Sequence, residues 1–352
     1  MDRRLRLAMA DWLNPILSAV PWPLPVRPSL DNLANPEMRR LVATALSELG
    51  FAVLMITITA MLRRARIAAV LVVLPLVFMQ VPSLSLLLVP ATPTTYHPSP
   101  IGFTAAAIAS GRTVFATTCV PCHGNAGDGI GGLGAVANLR RPHIWTHPVG
   151  DLFWFISHGI DGPDGTPTMP AFETVLPERT RWSVIDYVYA MNAGAVTRGL
   201  AGWPHPLPAP AVALSCPTID ARDIADLHGK VVRVILGAPL APLATVPPVH
   251  DIPVVTVWIP GAETEAGPVP GVDCVARGGA DEATAYAILA GSADGHVIPA
   301  RFLIDTEGVL RSVWRKGDGD AWADPDRLLE EVRTICTEPL TIGSGDKHEH
   351  HH

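Results

Sequence analysis

The hydrophobic pattern divides the chain into a strongly apolar first quarter and a remainder of short elements separated by turns. Two apolar runs, residues 41–62 and 67–90, are each close to the length of about 20 residues that crosses a bilayer core. The segment between them, residues 63–66, carries three arginines, and loops of this kind stay in the cytoplasm. The pattern therefore predicts a transmembrane helical hairpin over residues 41–90 whose ends face the periplasm. A buried hairpin in a soluble core is the alternative, which the arginine-rich turn disfavours.

The segment before this hairpin, residues 1–40, has a mixed pattern. It begins with Arg3, Arg4 and Arg6 and continues into a moderately apolar run, residues 7–26, that four prolines interrupt. Because the run lacks a small-residue cleavage site, we interpret the segment as interfacial, lying along the membrane surface, rather than as a cleaved signal peptide. Whether the run crosses the membrane stays open, since a third crossing would place the first arginines inside but would have to accommodate the prolines.

Proline-rich stretches mark the boundaries in the rest of the chain. Residues 91–101 and 197–215 each contain several prolines and are predicted to be short, stiff linkers. The first linker leads into residues 102–196, where helices are predicted. The second leads into residues 216–340, where apolar runs of strand length alternate with helical segments. The last segment, residues 341–352, is a histidine-rich tail to which we assign no function.

The composition excludes some classes of function but does not identify one. The chain has 352 residues, a formal net charge of −7 and 17% charged residues. Its mean hydropathy of +0.28 is high for a soluble protein, and the average comes largely from the first quarter. Because no strongly basic face is evident, we do not expect nucleic-acid binding.

The segment 119–123, Cys-Val-Pro-Cys-His, carries the most specific chemistry in the chain. Cys-x-x-Cys-His is the attachment sequence for c-type haem, in which two thiols bond to the haem vinyl groups and the histidine ligates the iron. Met169, in a proline-flanked loop downstream, can supply the second axial ligand. His/Met ligation is typical of electron-transfer cytochromes, so we predict one covalent haem c held by Cys119, Cys122, His123 and Met169, with iron ligated by the last two.

Three other histidines are alternative axial ligands. His143, His147 or His158 in place of Met169 would give a bis-histidine haem of lower potential. Histidines in such positions more often lie at the surface or contact the haem propionates, and none of the three lies in a loop as well suited as that of the methionine. Met191, in the last predicted helix, is interpreted as a packing residue.

Residues 102–196 resemble the class I cytochrome c family of single-haem electron carriers. The resemblance rests on the Cys-x-x-Cys-His-Gly and Met-Pro-Ala-Phe motifs together, with a helix from about Thr104 into the haem motif. A last helix is predicted from Pro177 to Gly194, with proline at its start and glycine at its end.

The resemblance has consequences for packing. In this family the first and last helices cross at a glycine surrounded by aromatic side chains, which implies that Gly111 and Phe115 meet Tyr187. Residues 151–160 are predicted to form a short helix over the haem edge.

Residues 216–340 resemble the thioredoxin-like fold. The predicted strands are followed by Ile298-Pro299, which resembles the cis-proline position of that family. No cysteine stands near residues 237–242, where the family has its redox Cys-x-x-Cys pair, and thiol–disulfide exchange needs a thiolate. We therefore interpret this segment as a binding or docking module. Its predicted elements are strands at residues 231–236, 254–259, 301–305 and 309–314, and helices at residues 282–290 and 324–336.

Three cysteines lie outside the haem motif, at Cys216, Cys274 and Cys336. Haem c is attached outside the cytoplasm, where disulfides can form. Cys216 and Cys336, at the two ends of the last domain, are candidates for a structural disulfide that would leave Cys274 as a free, buried thiol. The number is odd, and the pairing stays open.

Together these features predict a multidomain fold class with two transmembrane helices, an all-α cytochrome c domain and an α/β thioredoxin-like C-terminal domain. The predicted function is single-electron transfer at the bacterial inner membrane, with the haem and C-terminal domains in the periplasm and no enzymatic activity. Expected partners are the lipid bilayer and a membrane redox complex, which is an oxidase, a quinol-oxidising complex, a dehydrogenase or a photosynthetic reaction centre. Alternatives are a structural or assembly subunit of such a complex and a haem-based enzyme or sensor in which Met169 is displaceable.

Overall fold

The computed structural model describes most of the chain between residues 88 and 337, together with residues 26–28 and some positions between 43 and 54. The chain forms two compact units, residues 1–98 with 146–155 and residues 99–145 with 156–352. Within the range 88–337, the residues not described are 142–143, 146, 163, 198–206, 238–242, 244, 262–268, 278 and 320–323.

The helices whose first and last residues are both described all begin after residue 104. A π-helical turn, Phe115–Cys119, joins the first two of them. The helices are α1 (Ala105–Val114), α2 (Val120–His123), α3 (Val149–His158), α4 (Glu178–Val196), α5 (Ala280–Leu289) and α6 (Pro325–Thr337), with short 3-10 turns at Gly134–Ala137, Ile224–Leu227 and Lys316–Asp318.

The described strands form three sheets. Two are two-stranded antiparallel sheets, and the third is a mixed sheet of six strands. The strands are β1 (Val26–Pro28), β2 (Leu88–Pro90), β3 (Ile160–Asp161), β4 (Pro167–Met169), β5 (Leu214–Ser215), β6 (Val231–Leu236), β7 (Val254–Ile259), β8 (Cys274–Ala276), β9 (Ala300–Ile304) and β10 (Leu310–Arg315).

The predicted fold class is wrong in its two transmembrane helices. Among the residues that the structure describes, no helix is both long and apolar enough to cross a bilayer. The end of the second predicted span is strand β2, which pairs antiparallel with β1. An apolar run can also form a strand, and a residue that precedes a proline, as at the end of β2, is biased toward extended backbone. Most of residues 41–87 and the interfacial segment predicted for residues 1–40 lie outside the described residues, apart from β1 and scattered helical positions.

Helices α1 and α4 cross in contact with each other. Thr104 caps α1 by accepting a hydrogen bond from the Ala107 N–H at 3.2 Å. A Cβ added to Gly111 would overlap the backbone carbonyl of Ser183 in α4, so the two helices approach at backbone distance. The Phe115 and Tyr187 rings are 5.0 Å apart, and both side chains are buried. The crossing implied by the family resemblance is confirmed, and α4 extends two residues beyond its predicted end.

Gly111→Ala is expected to lower the free energy of unfolding by on the order of 3 kcal/mol, because the added methyl group meets backbone that cannot move aside. At an exposed helical position the same change would stabilise the protein by about 1 kcal/mol. Denaturant unfolding curves measure the difference. Gly317→Ala is the matched control, since a Cβ there meets nothing within 4 Å. An unchanged or raised midpoint for Gly111→Ala would contradict the crossing.

The six-stranded sheet has the order β10-β9-β6-β7-β8-β5. Strands β6, β7 and β8 run parallel, whereas β9 is antiparallel to β6, β10 to β9 and β5 to β8. The central strands β6 and β7 are almost entirely buried, as expected for strands covered on both faces. Each of the predicted strands and helices of residues 231–336 lies within two residues of an observed one.

Cys216 pairs with Cys274, and the predicted disulfide between Cys216 and Cys336 is wrong. The pairing of β5 with β8 sets Ser215 opposite Val275, which brings Cys216 opposite Cys274 with their Cα atoms 4.2 Å apart. Cys336 is a free, half-buried thiol in α6. The prediction paired the two cysteines nearest the ends of the domain. In the structure the short strand β5 instead pairs with β8 and brings Cys216 next to Cys274.

Replacing both disulfide cysteines, Cys216→Ala with Cys274→Ala, is expected to lower stability by roughly 4 kcal/mol, the loop-closure contribution of a bridge of this span. The bridge joins residues 58 positions apart. Unfolding midpoints without reductant measure the loss. Cys336→Ala is the matched control and is expected to change little. Equal midpoints for the double variant and the control would contradict the observed pairing.

Helix α5 joins the sheet to the crossing helices within one compact unit, since it packs against both α1 and α4. The Tyr187 hydroxyl donates to the Ala293 carbonyl at 2.9 Å, and Arg315 Nη2 donates to the Gly194 carbonyl at 2.8 Å. The segments that the sequence pattern separates, residues 102–196 and 216–340, are therefore in direct contact.

Candidate haem-binding site

The two cysteines and the histidine of the predicted motif lie on one helical segment. Cys119 ends the π-helical turn, and Cys122 and His123 belong to α2. Pro121 lies in the first turn of α2, where its missing N–H costs no helical hydrogen bond. Gly124 ends the helix with a φ of 75°, a left-handed conformation that favours glycine. The Cys-x-x-Cys-His-Gly motif therefore forms one compact helical turn with a sharp exit.

Both cysteine thiols of this turn are free and half-buried. Burial, and secondly the neighbouring Cys122, raise the pKa of the Cys119 thiol to about 11. At neutral pH Cys119 is therefore protonated, whereas thiol–disulfide exchange requires a thiolate. The turn offers two thiols to a haem, as covalent attachment requires.

His123 is held in one tautomer. Its Nδ1 lies 2.7 Å from the carbonyl oxygen of Ala137. A carbonyl can only accept, so Nδ1 carries the proton, and in the neutral imidazole Nε2 then keeps its lone pair. Histidines that ligate metals commonly donate their other N–H in this way. The donor set therefore fits an iron ligand at Nε2, and the Phe115 ring supports the imidazole with a centroid separation of 6.2 Å.

A glycine-rich loop, residues 124–134, folds back on the end of α2. The Gly129 N–H donates to the His123 carbonyl and the Leu133 N–H donates to the Cys122 carbonyl, both at 2.8 Å. These bonds satisfy carbonyls that the helix end leaves without partners. Our sequence reasoning missed this loop, although its glycines were a visible signal, and it missed Ala137, for which the sequence carries no signal.

Met169 lies in a different element from the attachment motif. It ends strand β4, opposite Ile160 of β3, and it is half-buried. The chain after it is fastened to α3, since the Phe172 N–H donates to the Ile156 carbonyl at 3.0 Å. The predicted ligand loop is thus the end of a short hairpin. The assignment of Met169 as the second ligand stays a prediction.

Two of the three histidines considered as alternative iron ligands interact with acidic side chains. His158 Nε2 lies 3.7 Å from Glu173 at the surface, and His147 Nδ1 lies 4.0 Å from Asp151. His143 lies outside the described residues. Met191 is 2% exposed, in agreement with its interpretation as a packing residue.

Asp186, on α4, is a buried acid that sequence reasoning did not single out. It is 4% exposed, and its Oδ2 has no hydrogen-bond partner. Burial raises the pKa of this carboxyl to about 8. The folded protein therefore holds a proton on Asp186 at neutral pH, whereas the unfolded chain releases it near the ordinary value of 3.8.

Folding stability is expected to fall as the pH rises from about 4 to about 8, because over this range the folded state binds a proton at Asp186 that the unfolded state has lost. Asp186→Asn removes this titration and should flatten the fall. Unfolding midpoints measured across this range test the slope, with the exposed Asp220→Asn as control. A slope for Asp186→Asn as steep as that of the wild type would contradict the assignment.

These elements define a cytochrome c domain: two helices crossing at a glycine, and a Cys-x-x-Cys-His turn with an anchored histidine. Residues 106–188 match the family model described as "Cytochrome C oxidase, cbb3-type, subunit III". That range contains all four predicted site residues, Cys119, Cys122, His123 and Met169.

A curated relative is the "Cbb3-type cytochrome c oxidase subunit CcoP" of Azospirillum sp. (strain B510), which is 34% identical over 101 residues. The alignment covers 26% of this chain and 33% of the relative, so the chain matches about a third of the length of that protein. The chain thus contains a cytochrome c domain, and this class implies haem c and electron transfer.

Proposed function

We propose that this protein carries single electrons through one covalently attached haem c and exchanges them with a respiratory oxidase complex. The observation that carries the proposal is the Cys-x-x-Cys-His turn, in which the hydrogen bond to Ala137 leaves His123 Nε2 free for a metal. The proposed partner follows from the family model and the relative, whose descriptions both name a cbb3-type oxidase.

Four residues have defined parts in this function. Cys119 and Cys122 tether the haem through thioether bonds, and His123 binds the iron through Nε2 while Ala137 fixes the orientation of its ring. Met169 provides a soft, neutral thioether, which favours the reduced iron and raises the potential. Haem c, when bound, supplies a one-electron couple. Because His123 and Met169 would together supply two protein ligands to the iron, a carrier is favoured over an enzyme that binds its substrate at the iron.

The aromatic residues behind His123 support this role. Phe115 contacts both the His123 ring and the Tyr187 ring, and the two aromatic side chains are buried at the α1–α4 crossing. They keep water from this side of the imidazole and limit its movement. A ligand that moves little lowers the structural change that accompanies each electron transfer.

We infer a periplasmic location for the haem and C-terminal domains. Haem c is attached outside the cytoplasm, and the disulfide between Cys216 and Cys274 is a bond that persists in oxidising compartments.

The C-terminal segment is proposed to be a thioredoxin-like docking module. The order β10-β9-β6-β7, with β9 antiparallel to its neighbours, supports the resemblance. Residues 237–242, which directly follow β6, contain no cysteine, so redox chemistry of the thioredoxin kind is not expected.

Reoxidation kinetics test the proposed partner. The haem-loaded, reduced protein is mixed with bacterial membranes that contain a cbb3-type oxidase and with membranes from a strain that lacks it. The proposal predicts that reoxidation depends on the oxidase. Its rate should fall as ionic strength rises, because salt screens the charges that bring the two proteins together. Equal rates with both membranes would contradict it.

A further inference from the structure

The side chain of Asn192, on α4, is fully buried, and its amide is hydrogen-bonded through both nitrogen and oxygen. Nδ2 donates to the carbonyl oxygens of Leu139 and Arg141, at 2.6 Å and 3.0 Å. Oδ1 accepts a hydrogen bond from the indole N–H of Trp145. An amide nitrogen has two N–H donors, and here both have an acceptor. Asn192 therefore fastens the segment of residues 139–145 to the last helix of the cytochrome domain.

This segment follows directly after the residue that orients the axial histidine. The Ala137 carbonyl, which accepts from His123 Nδ1 at 2.7 Å, lies only two residues before Leu139. The place of a backbone carbonyl is set by the path of the chain on either side of it. The path after Ala137 is the path that the amide of Asn192 holds.

The short stretch between Ala137 and the fastened residues has little freedom of its own. Asn138 Oδ1 accepts from the Arg140 N–H at 2.8 Å, which closes a tight turn. The Leu139 N–H donates to the Gly127 carbonyl at 2.7 Å. Because these bonds make the turn stiff, a displacement of Leu139 would be passed on to the Ala137 carbonyl.

An apolar side chain at position 192 would fill the core without an amide. The buried neighbours Ala190 and Ala193 on the same helix are apolar. Burying an amide is unfavourable unless its groups find partners, and the net gain from such hydrogen bonds is modest. Stability alone is therefore a weak reason for an asparagine here, whereas a fixed position for residues 139–145 requires its directional bonds.

We propose that Asn192 is a positioning residue for the axial ligand His123. By holding the chain after Ala137, it keeps the Ala137 carbonyl in hydrogen-bonding position for Nδ1 of the imidazole. This inference rests on the proposed function, since it concerns a histidine that ligates haem iron. A hydrogen bond at the nitrogen remote from the metal makes the imidazole a more basic ligand, which favours the oxidised iron. Asn192 is therefore expected to hold the reduction potential down.

Hydrogen exchange at His123 Nδ1 tests this role in the full, haem-loaded protein. In the reduced state, nuclear magnetic resonance follows the exchange of the Nδ1 proton with solvent, and a redox titration gives the potential. Asn192→Ala removes the whole amide. We expect exchange at least about tenfold faster than in the wild type, because the free energy of one buried hydrogen bond corresponds to about one decade. The reduction potential should rise.

Asn192→Asp is measured beside the alanine variant, because it has nearly the same volume and keeps an acceptor for Trp145. A carboxyl group cannot donate to both Leu139 and Arg141, so exchange should again be faster than in the wild type. Leu328→Ala is the control for a general loss of stability. Leu328 is a buried residue of the cluster that packs α6 on the sheet, and its truncation should leave the exchange and the potential unchanged.

The proposal is overturned if the Asn192 variants that fold keep the exchange rate and the potential of the wild type. It is equally overturned if Leu328→Ala speeds the exchange as much as they do, because the effect would then report stability alone. The wild-type spectrum distinguishes this failure from a failure of the proposed function. A His123 that does not ligate iron in the wild type would contradict both, whereas a ligated His123 that is insensitive to Asn192 would contradict only the positioning role.

Discussion

Replacing Cys119 and Cys122 together by alanine is expected to abolish covalent attachment of haem. Each thioether bond needs one of these thiols, and both lie on the single turn that precedes His123. After denaturing electrophoresis, haem-dependent peroxidase staining should disappear from the double variant. Each single variant keeps one thiol and should retain reduced staining.

The cysteine outside both the motif and the disulfide provides the control for this experiment. Cys336→Ala removes a free thiol in α6 and should leave staining at the wild-type level. Haem that stays with the denatured double variant would show that the attachment lies elsewhere and would contradict the site.

Met169→Ala is expected to leave haem attached while opening one axial position of the iron. The reduced variant should bind carbon monoxide stoichiometrically, whereas the wild type should bind none, because both its axial positions are filled. The reduction potential should fall, since the thioether favours the reduced iron. Carbon monoxide difference spectra and a redox titration measure the two effects.

Met191→Leu is the matched control for Met169→Ala. It conserves volume at a buried packing position, so ligation and potential should stay close to those of the wild type. If Met169→Ala leaves ligation unchanged, the methionine is not the ligand, and the histidine alternatives gain support.

The parts of this protein that sequence reasoning predicted well are those set by short-range chemistry. The spacing of Cys119, Cys122 and His123 is a requirement of one helical turn, and the structure contains that turn. The meeting of Gly111 with the last helix followed from family resemblance and was confirmed, because only a glycine permits backbone contact there. Strands β6 and β7 match their predicted bounds because buried parallel strands are marked by continuous apolar runs.

The parts that it missed depend on pairings between distant segments. The disulfide between Cys216 and Cys274 follows from a two-residue strand, β5, that is too short to leave a pattern. The packing of α5 on α1 and α4 and the hydrogen bond from His123 to Ala137 involve backbone and shape, which the side-chain pattern does not encode.

The prediction of two transmembrane helices failed for a different reason. High hydropathy is a condition that a strand can also meet, and the three-residue strand β2 occupies the end of the second predicted span. The prolines that flank such a run carry as much information as its apolar residues, and they favoured extended backbone at its end.

The central claim, that this chain is a carrier with a His/Met-ligated haem c, is tested most directly by the optical spectrum of the purified wild-type protein, oxidised and reduced, with and without carbon monoxide. The account predicts the weak near-infrared band of a methionine–ferric iron bond and a reduced spectrum that carbon monoxide does not change. A missing band together with carbon monoxide binding would contradict it, because the iron would then have an open position and the protein would be a ligand-binding enzyme or sensor.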